Sequence, residues 1–167
     1  MARMDKTLSQ IQAKFAGRNL GSGALFGVGL AAFLDEAVFH QLLHWHHFYD
    51  LSTTAAGLVS DGLFHAFSWF ATVVALFMLA DLRRRAAWWR KRWMSGVMLG
   101  SGGFNFYDGT IQHKLMRIHQ IRYEVEILPY DLAWNAIALF FILLGTMLFL
   151  KTNKQLRRAG AAPDARQ

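Results

Sequence analysis

Asp35, Glu36, His40, His44, Asp61, His65, Asp108, His113, Asp131 and Asn135 all lie in or beside stretches of chain that are otherwise apolar. An ionised group near the centre of a bilayer costs roughly 2.5–3.5 kcal/mol even on lenient insertion scales, so such residues are rarely placed there without a use. Imidazoles whose tautomers are fixed by carboxylates suit a transition metal, haem or a proton relay. The spacing says which groups act together. Glu36, His40, His44 and His47 fall on one helical stripe, and Asp61 and His65 share a face, so both sets are placed to chelate. Asp35 and His40, five residues apart, stand about 140° from each other on an α-helix and face different neighbours unless the helix bends.

On this reading the metal ligands are Asp35, Glu36, His40, His44, Asp61, His65, Asp108 and His113, with Asp35 and Asp61 as candidate bases for metal-assisted hydrolysis. Cu or Zn stands ahead of Fe; neutral imidazole suits all three, and the chain has no cysteine to supply thiolate. Haem held by His40 with His113 or His65 is the second reading, and a buried polar network that locks helices in register is the third. His44, His46, His47 and His119 fall at or beyond the outer boundary, as solvated residues, an outer funnel or ligands. The Glu-x-x-His spacing of ferritin-like di-iron proteins and the His-Glu-x-x-His of zinc proteases are both absent.

Four elements must position these groups. The chain has 167 residues, 54% hydrophobic and 17% charged, and its charges gather in blocks between long apolar stretches. Four of those stretches, near 20–43, 57–80, 95–115 and 132–150, are long enough to cross about 30 Å of hydrocarbon. Arg3, Lys6, Lys14 and Arg18 precede the first, Arg83–Arg85 and Arg90–Arg92 fill the middle loop, and Lys151, Lys154, Arg157 and Arg158 follow the fourth. The other two loops carry no such excess, so the termini and the middle loop are predicted to be cytoplasmic. The ionisable groups then converge on one layer in the outer leaflet. Trp88, Trp89 and Trp93 read as interfacial anchors, and 1–19 as a surface segment with Leu8, Ile11 and Phe15 on one side. The net charge of +7 flanks the apolar spans, which excludes a nucleic-acid-binding reading.

An offset of 73 superimposes Gly27, Gly29, Phe33, Asp35, His40, Leu42 and His46 on Gly100, Gly102, Phe106, Asp108, His113, Leu115 and His119. A weaker match at an offset of 70 pairs Asp61, Ala66 and Phe70 with Asp131, Ala136 and Phe140. The predicted fold is an all-α, integral membrane four-helix bundle made of two tandem helical hairpins, 20–81 and 95–151, related by a pseudo-two-fold axis along the membrane normal. The segment 152–167 forms a cytoplasmic basic tail. Gly21, Gly23, Gly27 and Gly29 in the first span and Gly96, Gly100, Gly102 and Gly103 in the third predict close packing of those two helices in their cytoplasmic halves.

The polar motifs, Asp-Glu-x-x-x-His-Gln-x-x-His-Trp-His from Asp35 to His46, Ser-Asp-Gly-x-x-His from Ser60 to His65 and Asn-x-x-Asp-Gly-x-x-x-His-Lys from Asn105 to Lys114, resemble an uncharacterised family of predicted four-span bacterial membrane proteins. The resemblance covers about Gly27 to Leu150 and implies a bacterial inner-membrane location. It implies no activity. The expected partners are the lipid bilayer and either a second copy of the chain or a respiratory complex, with metal handling for a respiratory oxidase as one role.

Overall fold

The computed structural model of the chain describes residues 10–160, with side chains as far as Arg158. Leu8 of the expected surface segment lies outside that range; residues 10–14 form a short helical turn, and the first long helix starts at Ala16. There are four long helical rods. The first, α1 (Ala16–Asp35), continues into a π-helical segment, Glu36–Leu42; α2 spans Thr54–Arg84. The third, α3 (Arg90–Tyr107), continues into a second π-helical segment, Asp108–Met116, and α4 spans Ile127–Gly160. The Thr53 hydroxyl caps α2 by accepting from the Ala56 amide at 3.3 Å, and Arg83 and Arg84 in its last turn complement the helix dipole.

The helices stand in a row, α2–α1–α3–α4. Among the described residues, the backbone of α2 closely approaches α1 alone of the other α-helices and that of α4 α3 alone, so the flanking helices do not close a ring. A bundle in which every helix has two neighbours is therefore not what forms. The reason lies in the glycines. A Cβ at Gly23 or Gly27 would run into the backbone of Trp93 or Val97, and one at Gly96 or Gly100 into that of Leu20 or Ala24. Four glycines thus let α1 and α3 touch backbone to backbone. Gly29 instead meets Ser68 and Thr72 of α2, and Gly102 meets Ala138 and Ile142 of α4; Gly21 and Gly103 face open space.

The polarity of this row is inverted relative to a water-soluble protein. Asn19, Ser22, Ser68, Ser95 and Ser101 are buried between the helices, while Leu63, Phe67, Phe70, Phe77, Leu132, Phe140 and Leu143 point outward. Lipid is the solvent that such a surface suits. Three rods, Ala16–Leu42, Thr54–Arg84 and Ile127–Arg158, are long and apolar enough to cross a membrane. The remaining rod, Arg90–Met116, is less apolar, since it opens on Arg90, Lys91 and Arg92, closes on Asp108, Gln112, His113 and Lys114, and carries glycine and serine between them.

At the end holding the middle loop, Asn19 accepts from the Trp89 amide at 2.8 Å and donates to the Ala87 carbonyl at 2.9 Å. Trp93 is buried, with its ring 5.3 Å from Phe26 and its Nε1 donating to Ser22 at 3.2 Å, so it is a packing residue and not an interfacial anchor.

Candidate metal centre

The polar residues gather at the opposite end, where α1 and α3 pass into their π-helical segments. Hydrogen bonds from i to i+5 bring residues five apart toward one face, which an α-helix would separate. Asp35 with His40, and Asp108 with His113, are therefore both turned into the protein, and all four are at most 3% exposed. Each segment stops just before a residue in the left-handed region, His44 (φ 51°) and Arg117 (φ 53°). The chain then folds back and returns a histidine to the interior two residues later. His46 and His119 are 5% and 1% exposed.

The two returning loops cross. His46 Nδ1 donates to the Ile121 carbonyl and His119 Nδ1 to the Phe48 carbonyl, each at 2.9 Å. A carbonyl can only accept, so each ring donates from Nδ1–H and turns its Nε2 inward. Neither Nε2 has a hydrogen-bond partner. The two rings stack within 3° of parallel, with centroids 4.7 Å apart. Burial, with His40, His119 and His113 close by, holds the His46 pKa down at about 2, so this ring stays neutral.

Around this pair stand the other groups. His113 lies 4.7 Å from His119 and 6.2 Å from His46 by ring centroid, and His46, His113 and His119 converge closely enough to hold one ion. Asp108 presents Oδ2 at 3.1 Å from His113 Nε2 and Oδ1 at 3.4 Å from His119 Nε2. A tetrahedral ion with bonds of about 2.0–2.1 Å sets its ligand atoms roughly 3.3–3.4 Å apart. A second convergence joins Asp35, His40 and His46, and a third Glu36, His40 and Asp61. In the third, His40 Nδ1 sits 3.0 Å from Glu36 Oε2 and 2.9 Å from Asp61 Oδ1, while His40 Nε2 faces Asp35 at 3.8 Å. Asp61 also holds His47 Nδ1 at 2.6 Å and accepts from the Phe48 amide at 2.7 Å. Four buried carboxylates, Asp35, Glu36, Asp61 and Asp108, thus share one region in which their ion-pair partners, among the described residues, are histidines alone. A cavity of about 210 Å³ lined by His44, Trp45, His46, His47, Asp50 and Tyr123 leads from the surface to His46.

Of the eight ligands expected from sequence, Asp35, Glu36, His40, Asp61, Asp108 and His113 come together. His44 and His65 do not. His44 is exposed because the helix stops at Leu42 and the stripe beyond Glu36 and His40 does not exist. His65 is exposed on α2, its ring 5.9 Å from Phe33, although it faces a side hollow that Glu36 and Gln41 also line. Asp131, the counterpart of Asp61, pairs with Lys114 instead of with a histidine, and Asn135 donates to the Asp131 carbonyl at 2.9 Å. The residues that sequence reasoning set outside the ligand group are His46 and His119. Their signal was present, because both belong to the identities at an offset of 73.

An all-helical row with apolar outer faces and a buried His/Asp cluster defines a helical membrane protein. The chain belongs to the family described as predicted membrane protein (DUF2243), whose model matches residues 22–152. No curated protein and no solved structure matches it.

Proposed function

We propose that this protein holds a transition metal ion, Cu or Zn ahead of Fe, between His46, His113, His119 and Asp108, with Asp35 and His40 adjoining and Glu36 and Asp61 orienting His40. One observation carries the reading. His119 donates from Nδ1–H to the Phe48 carbonyl, which aims its Nε2 at a carboxylate oxygen of Asp108 3.4 Å away, the separation of neighbouring ligands on a tetrahedral ion. A cation between the two atoms would take the place of a shared proton and be ligated by both, neutralising a carboxylate that is buried. Three imidazoles and one carboxylate make a closed coordination set, as in sites that hold a metal without reacting through it. Metal handling, for a respiratory oxidase or another acceptor, is accordingly favoured over hydrolysis.

The haem reading needs a slot between His40 and His113. That space is occupied by the stacked pair, since His46 lies 4.4 Å from His40 and His119 lies 4.7 Å from His113 by ring centroid. The repeat, by contrast, gains support from packing. Gly23 and Gly96, Gly27 and Gly100, and Gly29 and Gly102 have matching surroundings, and the residues that Gly29 and Gly102 meet are themselves 70 apart. We therefore read the row as two hairpins about a pseudo-two-fold axis between α1 and α3, with four crossings of a bacterial inner membrane, cytoplasmic termini and the cluster on the periplasmic side.

Elemental analysis of the purified chain, with an absorption spectrum, tests the function. Stoichiometric Cu or Zn that disappears in His46→Ala and in His119→Ala is expected. A Soret band that depends on His40 and His113 would return the haem reading. A metal-free chain whose histidine variants unfold more easily would leave a purely structural network.

A further inference from the structure

Because the backbones of α2 and α3 stay apart, a groove of about 500 Å³ runs between them. Its walls are largely apolar and open to the membrane side, where Leu63, Phe67 and Tyr107 are exposed. Two features separate it from a gap that lipid tails would fill. Phe48, Phe64 and Phe104 are stacked in series, at 4.8 Å and 28° and then at 6.0 Å and 15°, which lines the groove with aromatic rings against which another ring can extend the stack. The second is Gln112. This amide is only 5% exposed, lines the groove, and makes no side-chain hydrogen bond among the described residues. An acyl chain cannot satisfy it, whereas a ligand oxygen can.

We propose that this groove binds a membrane-dissolved molecule carrying a flat ring with a carbonyl or hydroxyl oxygen, the chemistry of a quinone or quinol. The ring stacks among the phenylalanines and its oxygen meets the Gln112 amide, with Tyr107 also lining the groove. Its volume lies within the ordinary range for small-molecule sites. The groove also adjoins the metal cluster. The Phe64 ring is 5.7 Å from His40, Phe48 gives its carbonyl to His119, and Gln112 is the neighbour in sequence of His113. The proposal does not depend on the metal being present.

The test uses the full chain in phospholipid nanodiscs and decylubiquinone as the probe, with binding followed by quenching of intrinsic tryptophan fluorescence. Saturable binding is expected, weakened at least tenfold in Gln112→Leu and in Phe104→Leu, with the metal content of each variant unchanged. Oleate, which offers a chain without a ring, should compete at least tenfold less well. Unsaturable partitioning, equal competition by oleate, or an affinity untouched in Gln112→Leu would overturn the proposal. If Gln112→Leu does not fold, Tyr107→Phe, at an exposed residue of the groove, and Phe104→Leu carry the same comparison, and no loss in either overturns it.

Discussion

Replacing His119 by alanine separates the site built by the crossed loops from the one an unbroken helical stripe would build. The side chain is 1% exposed, its Nδ1 is committed to the Phe48 carbonyl, and its Nε2 stands 3.4 Å from Asp108 with no other partner. A closed four-ligand zinc site in a small domain is worth about 10–16 kcal/mol, or about 2.5–4 kcal/mol for each ligand. Removing one ligand of four should therefore weaken metal affinity by about 10²–10³-fold. The measurement is competition for Zn²⁺ or Cu⁺ against a chelator of known affinity, on protein purified in detergent. His46→Ala should lose a comparable amount, because its ring is held in the mirrored way, to the Ile121 carbonyl at 2.9 Å. His65→Ala and His44→Ala should stay near wild type, since both side chains lie outside the cluster. If His119→Ala remains within threefold of wild type, or His65→Ala falls as far, the assignment of ligands is wrong.

Other outcomes follow from the packing and the loops. Gly100→Ala places a methyl within 3 Å of the Ala24 backbone, which cannot rotate aside, so stability should fall by about 1–3 kcal/mol in a thermal melt; Gly103→Ala, facing open space, should be neutral. His44→Gly relieves a left-handed backbone worth about 1–2 kcal/mol to an L-residue, offset by the greater freedom of glycine when unfolded, so the melt should move up slightly or not at all and metal content should hold. The chain has no cysteine, so single cysteines at Ser52 and Arg84 report topology without background: an impermeant maleimide should label the first in intact spheroplasts and the second only after permeabilisation.

Much of the frame was legible in the residues. The glycines at 23, 27, 96 and 100 announced the contact between α1 and α3, because only a missing Cβ allows such an approach. Their neighbours at 29 and 102 were read onto the same contact but serve the flanking helices, since helical rotation carries them to another face. Asp35 and His40 posed a conflict that an α-helix cannot resolve. The π-helical turn resolves it, and nothing in local propensity distinguishes that turn from the α-helix preceding it. The expected stripe through His44 failed for the same reason, as the chain leaves the helix at Leu42. His46 and His119 were visible as repeated residues, but their orientation depends on carbonyls about 75 positions away in sequence, which periodicity cannot register.

The exchange of carbonyls between the loops bears on how the protein comes into being. His46 is aimed by the backbone of the second hairpin and His119 by that of the first. A single hairpin released from the ribosome and inserted alone would carry histidines with nothing to steer them, and would have no reason to capture metal early. On the proposed function, loading is then a checkpoint passed only when both hairpins have met. Two half-chains produced separately in one cell should acquire the ion together or not at all.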